Sequence, residues 1–260
     1  QVKSACILAA LKNKTTSVIH ELAETRNHTE LMLNYMGADI SCKDLEIRIS
    51  GKNPLNADYI EIPGDISGAA FFIIAALILP GSEIIVKNCG LNPTRRGILS
   101  VLETCGVKMD ITEKRTICNE RSGDIHIKYR KDLRPFTIDK NIMPYLIDEI
   151  PVLALLATQI EGVSVIKDAG ELIFKESDRL ETIRETLTLL GGNVTKTSDG
   201  LIIKGKTALK PNTVNTYNDH RIYMMAKIAG LCCPDIKIID GGSEKISYPT
   251  FARDLAKLIK

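Results

Sequence analysis

The stretch Glu171-Leu172-Ile173-Phe174-Lys175-Glu176-Ser177-Asp178-Arg179-Leu180 brings two cations, Lys175 and Arg179, and two carboxylates, Glu176 and Asp178, to the start of one helix. Downstream, Leu180, Ile183, Leu187 and Leu190 recur at about 3.6-residue spacing, which predicts a helix beginning near Ser177 or Asp178, either of which can cap it. Lys175 and Glu176 then lie just ahead of its positive end, where unpaired N–H groups and the helix dipole add to the cationic side chains. That combination suits an anionic ligand, with Glu176 an acid held among cations. Alone, such a string is more often a capped surface helix with local ion pairs.

Three other helix starts carry polar groups of the same kind. Asp148-Glu149-Ile150-Pro151 sets two carboxylates before a helix whose first turn suits proline. Asn218-Asp219-His220-Arg221 opens another, and Pro63-Gly64-Asp65-Ile66-Ser67 a third. Asp65, Asp148 and Asp219 taken singly are ordinary N-caps, and His220 an ordinary structural histidine. Arg221 is more awkward, because a cation in a first turn opposes the dipole and calls for an acidic partner or an anionic ligand. Converging on one place, the cations Lys175, Arg179 and Arg221 with the carboxylates Asp148 and Glu176 describe a cleft for a polyanionic substrate, with acid–base chemistry available inside it.

The elements that would position these groups recur. A helix rich in small apolar residues starts near Val2, Gly64, Ile147 and Asn218, and each time a β-branched strand follows: Ser17-Val18-Ile19-His20, Ile84-Ile85-Val86, Val163-Ser164-Val165-Ile166 and Ile236-Lys237-Ile238-Ile239. A second, amphipathic helix comes next, closing in three blocks on a glycine cap at Gly37, Gly106 and Gly191, after which two strands form a hairpin. The fourth block stops at its second helix, Thr250 to Lys260. Such units cannot bury their apolar helices alone, so copies must pack with helices inside and sheets outside. The expectation is a repeat α/β fold, with Pro63-Gly64 as hinge and boundary between residues 1–63 and residues 64–260.

The 260 residues, 44% of them hydrophobic, suffice for one or two domains with a buried core. Thirty-four basic residues against 32 acidic ones are dispersed along the chain, so no nucleic-acid stripe is implied and any anion binding must be local. The seven cysteines lack CxxC spacing, and four histidines show no ligand spacing with one another or with the cysteines. No metal or other cofactor is expected, the compartment reads as reducing, and with no apolar run of membrane-spanning length the chain reads as soluble and cytoplasmic. Gln1 opens directly into an apolar helical run without Met or leader, as expected of a fragment or mature piece.

Taken in order, Gln1-Val2-Lys3-Ser4-Ala5, Gly64-Asp65, Leu91-Asn92-Pro93-Thr94-Arg95, Asp148-Glu149-Ile150-Pro151, Lys175-Glu176-Ser177-Asp178-Arg179 and Asn218-Asp219-His220-Arg221 resemble the 5-enolpyruvylshikimate-3-phosphate synthase family. The resemblance runs from the first residue to the last helix. It implies an inside-out α/β barrel of βαβαββ units, the enolpyruvyl-transferase fold, with residues 1–63 the tail of a first domain and residues 64–260 most of a second. It implies transfer of the enolpyruvyl group of phosphoenolpyruvate to the 5-hydroxyl of shikimate 3-phosphate, releasing phosphate, on the route to aromatic amino acids. The family has a further segment ahead of the position of Gln1, so the resemblance also implies that this chain alone is incomplete and inactive, and a monomer when complete.

Position by position, Asp148 is similar to the family's carboxylate that accepts the hydroxyl proton, and Glu176 to the acid that protonates the methylene. Lys175 resembles the contact to shikimate 3-phosphate, Arg179 and Arg221 the two arginines that clamp phosphoenolpyruvate, and Gln1 a residue lying against the shikimate ring and phosphoenolpyruvate. Thr25 stands where a serine commonly meets the 3-phosphate. The family often has a lysine where Ile246 precedes Ser247-Tyr248-Pro249. Lys245, one residue early and a candidate contact to phosphoenolpyruvate, would point away on a strand but reach inward from a loop. Two other readings stay open: the sibling transferase that acts on UDP-N-acetylglucosamine, and a non-catalytic repeat scaffold in which Asp148 and Glu176 only cap helices.

Overall fold

In a computed structural model of the chain, residues 1–259 are described, the side chains of residues 113 and 114 excepted. The first block folds as α1 (Val2–Ala10), β1 (Ser17–His20), α2 (His28–Tyr35), β2 (Asp39–Lys43) and β3 (Glu46–Ser50). Its sheet has the antiparallel order β1-β3-β2, and Ile47 and Ile49 of β3 point inward on either side of exposed Arg48, the period-two pattern of a half-buried strand. With Ile7, Ala10, Leu33, Ala38 and Ile40 they form a small apolar cluster.

A second and larger cluster is built from residues between Ile66 and Leu255, so the two clusters fall on either side of Pro63-Gly64. It contains α3 (Ile66–Ile78), β4 (Glu83–Gly90), α4 (Gly97–Thr104), β5 (Asp110–Ile117) and β6 (Glu120–Lys128). Next come β7 (Thr137–Ile138), α5 (Ile150–Thr158), β8 (Gly162–Ile166), α6 (Arg179–Leu189), β9 (Asn193–Lys196) and β10 (Leu201–Gly205). The chain closes with β11 (Thr213–Asn215), α7 (His220–Cys232), β12 (Lys237–Ile239) and α8 (Phe251–Leu258). Lys260, the expected last residue of the final helix, lies outside the described residues.

The helix, strand, helix, strand, strand order repeats three times, and the last strand of each block inserts between the other two: β1-β3-β2, β4-β6-β5 and β8-β10-β9. The reversal after each second helix needs a left-handed residue, and Gly37, Gly106 and Gly191 supply it with φ of 88°, 87° and 92°. One feature departs from the expected order. A short strand precedes the first helix of two blocks, β7 pairing parallel with β8 and β11 with β12, and Gly64 makes an isolated parallel bridge to Cys89 in the second block. Two or three residues are too few to show an alternating pattern, so these strands carry no periodic signature.

Helices α3, α5 and α7 pack against one another at the centre of the larger cluster, with sheets outside. All nine residues of α5 are buried, as befits a helix apolar on every side. Their starts therefore meet at one end of the bundle. Asp65 caps α3 by accepting from the Ser67 and Gly68 amides, and Asp219 caps α7 by accepting from the Arg221 amide. Asp178 caps α6 through the Glu181 amide. Helix α5 differs: a 3-10 turn, Ile147–Glu149, leads into it, and neither Asp148 nor Glu149 makes a capping bond. The Asp148 carboxylate is thereby left for other partners.

Candidate active site

The starts of α5, α6 and α7 open onto a hollow of ≈ 650 Å³. Gln1, Thr25, Asp148, Lys175, Glu176, Arg179 and Arg221 all line it. Lys245 does not. It lies exposed in a 3-10 turn, Ser243–Ile246, beyond the end of β12, so it sits on a turn rather than a strand.

Asp148 is the meeting point. Its Oδ2 accepts a 2.8 Å hydrogen bond from Nη2 of Arg26, its Oδ1 is 3.6 Å from Nη1 of Arg179, and Nη2 of Arg221 stands 4.0 Å from Oδ2. Burial pushes this carboxyl up, but Arg221, Arg26 and Arg179 outweigh it and hold the group at about 2, so it is ionised at neutral pH. Arg26 lies between β1 and α2, in the block that holds the smaller cluster, so this bond joins that block to the larger one. Sequence reasoning missed Arg26. Its signal was the charged string Glu24-Thr25-Arg26 next to Thr25, but the partner stands 122 positions away.

Arg179 is 1% exposed, and a guanidinium so buried must be paired to persist. It donates from Nε to Oδ2 of Asp219 at 2.8 Å, and from Nη2 to Oε2 of Glu176 at 2.5 Å. Asp219 is thus more than a cap; one carboxylate closes α7 and orients the arginine of α6, with Ser177 donating to it as well at 3.0 Å. Arg221, the cation at an unfavourable helix end, donates from Nη1 to the Ser67 carbonyl at 3.2 Å and faces Asp148. Glu176 also lies 3.7 Å from Nδ1 of His220. Burial, with Arg221 beside it, lowers His220 below the usual histidine range and keeps its ring neutral at pH 7.

Thr25, which lines the hollow, donates its hydroxyl to Glu21. Behind the site, burial pushes Glu149 up to about 6, and Asp148 beside it adds to the rise. Among the described residues no group of His, Cys, Asp and Glu side chains is arranged to hold a metal ion. No helix among them is long and apolar enough to cross a membrane. The hollow therefore offers fixed guanidinium donors for anionic oxygens and, beside them, one carboxylate kept ionised and a second, Glu176, at its rim.

The fold is that of the enolpyruvyl transferases. The enolpyruvyl transferase NikO from Streptomyces tendae shares it at a TM-score of 0.77 and 21% identity, over 99% of this chain and 58% of that one. Within that class, the chain belongs to the EPSP synthase (3-phosphoshikimate 1-carboxyvinyltransferase) family, whose model matches residues 1–255. It is 47% identical to the 3-phosphoshikimate 1-carboxyvinyltransferase of Oceanobacillus iheyensis over 261 residues, and 44% identical to that of Listeria monocytogenes over 262. The EPSP synthase from Acinetobacter baumannii matches with a TM-score of 0.92 and 33% identity over 99% of this chain and 60% of that one. The chain spans 61% of the length of these two curated relatives.

Proposed function

We propose that this chain supplies part of the active site of an enzyme that transfers the enolpyruvyl group of phosphoenolpyruvate to the 5-hydroxyl of shikimate 3-phosphate. The observation that carries the reading is the gathering of Asp148, Glu176, Arg179 and Arg221, from three separate helix starts, around one hollow.

In this reading Arg179 and Arg221 hold the carboxylate and phosphate of phosphoenolpyruvate, for which planar two-pronged donors are suited. Lys175, Thr25 and Gln1 face shikimate 3-phosphate. Asp148, ionised, takes the proton of the 5-hydroxyl as its oxygen bonds to C2 of phosphoenolpyruvate, while Glu176 delivers a proton to C3, giving a tetrahedral adduct. Loss of a proton from C3 then re-forms the double bond as the C2–O bond to phosphate breaks, releasing phosphate. Arg26, which now satisfies Asp148, withdraws when the acceptor hydroxyl arrives. Residues 1–63 and 64–260 act as parts of two bodies hinged at Pro63-Gly64, whose closing would exclude water from the adduct. The complete enzyme acts as a cytoplasmic monomer.

Because the relatives are longer, the test supplies what the chain lacks. This chain is combined with the remaining segment of the Oceanobacillus iheyensis relative, and phosphate release is followed with each acceptor. Release that requires both pieces, phosphoenolpyruvate and shikimate 3-phosphate is the expected result. Release only with UDP-N-acetylglucosamine transfers the reading to the sibling enzyme, and release with neither acceptor returns it to a scaffold.

A further inference from the structure

Two buried polar atoms behind the hollow have no hydrogen-bond partner, and they are complementary: Oε1 of Glu149, an acceptor, and Nε of Arg221, a donor. Both side chains rest on Ser67, near the start of α3. The Ser67 hydroxyl bonds the Glu149 carboxyl and receives Nη2 of Arg95 at 2.5 Å, and the Ser67 carbonyl receives Nη1 of Arg221 at 3.2 Å. Ser67 is 0% exposed and Glu149 1%, so bulk solvent does not reach this carboxyl. Leaving a buried acceptor and a buried donor unpaired costs stability on both sides, and an arrangement in which the two meet removes that cost.

We propose that Glu149 is a positioning residue for Arg221: its open carboxylate oxygen accepts the Arg221 Nε–H when the guanidinium turns to grip an anionic substrate group. In the present arrangement Nη1 is spent on the Ser67 carbonyl and Nη2 faces Asp148 at 4.0 Å. Turning about the side chain frees both terminal nitrogens for the ligand, and the bond at Nε then fixes the plane of the fork from behind. The groups facing Glu149 are Asp148 on its own turn, Arg95 after β4, Arg221 on α7 and Ser67 on α3. Two of the three charged ones are cations, which suits a carboxylate that must stand ionised behind Arg221. The inference rests on the reading of Arg221 as a clamp for phosphoenolpyruvate.

The test uses the two-piece preparation described above, measuring the affinity for each substrate and the melting temperature. Glu149→Met removes both acceptor oxygens at nearly constant volume. We expect phosphoenolpyruvate affinity to fall at least about ten-fold, the loss of one charge-assisted bond, with shikimate 3-phosphate affinity within about two-fold of the parent. The melting temperature should hold or rise, because an unsatisfied buried carboxyl is gone. Glu149→Gln keeps an acceptor and should recover most of the affinity.

Equal loss for both substrates, or a lowered melting temperature, marks a merely structural role and overturns the inference. Unchanged phosphoenolpyruvate affinity in Glu149→Met, with Arg221→Ala abolishing it, overturns the inference and leaves the clamp standing. A parent that binds no phosphoenolpyruvate, or an Arg221→Ala variant that binds it as well as the parent, removes both. If Glu149→Met does not fold, Ser67→Ala decides: it unseats the Glu149 carboxyl, and phosphoenolpyruvate affinity equal to the parent's overturns the inference.

Discussion

Nε of Arg179 lies 2.8 Å from Oδ2 of Asp219, and the two side chains, from the first turn of α6 and the cap of α7, are 1% and 0% exposed. This pair welds two helix starts together at the floor of the hollow. Asp219→Asn separates its two duties, since asparagine also caps helices but carries no charge. The expected outcome is a loss of roughly 3 kcal/mol in chemical denaturation, from uncompensated burial of the guanidinium. Full stability in the Asn variant would mean that Glu176 and Asp148 suffice to neutralise Arg179.

Asp148→Asn tests the proton acceptor. Turnover by the two-piece enzyme should fall about 100-fold or more, the usual contribution of a general base, with substrate affinities changed far less. Rates within a few-fold of the parent would leave Asp148 as an ion-pair partner only.

The same residue fixes an acid limit. Its folded value of about 2 lies below the ordinary 3.8, so the stability its ionised form adds is full above pH 3.8 and is lost as the pH falls toward 2. Melting curves of the parent between pH 5 and 2 should therefore fall more steeply than those of Asp148→Asn; parallel curves would show that the three arginines do not hold the group down.

Glu149 acts with opposite sign. Its value is raised to about 6 from 4.5, so its folded form is favoured while protonated and the penalty grows as the pH passes from 4.5 through 6. Glu149→Met should gain on the parent over that interval, by roughly 2 kcal/mol at pH 8 relative to pH 4. A stability difference that does not vary with pH would place the titration elsewhere.

Arg26→Ala removes the bond that joins the smaller cluster to Asp148. The Arg26 side chain is 38% exposed, so global stability should change by no more than about 1 kcal/mol. The connection between the clusters should loosen, and trypsin should cut faster after exposed Lys52. An unchanged cleavage rate would mean that other contacts hold the two clusters together.

Much of this architecture is legible along the chain because it is written in periodicity and caps. Ile47 and Ile49, or Leu201 and Ile203, alternate as strands must, and Gly37, Gly106 and Gly191 each mark where a helix turns back. The gathering of Asp148, Glu176, Arg179 and Arg221 at one hollow was legible for a different reason: charge at a helix start is conspicuous. What stayed hidden depends on distance or brevity. The partnership of Arg26 with Asp148 exists only after two clusters meet, Asp219 reads as a cap until Arg179 is folded against it, and β7, with two residues, has no period to read.

Among the described residues the sheet of β11 and β12 has two strands where its counterparts have three or four. Among the described residues no further strand pairs with the outer edge of β12, beside which Ile239 is 57% exposed. A rim of that kind is adhesive, and concentrated solutions of the chain will tend to join there, one molecule lending a strand to the next. Lysine in place of Ile239 would blunt it, making that position the natural first change for anyone seeking well-behaved material.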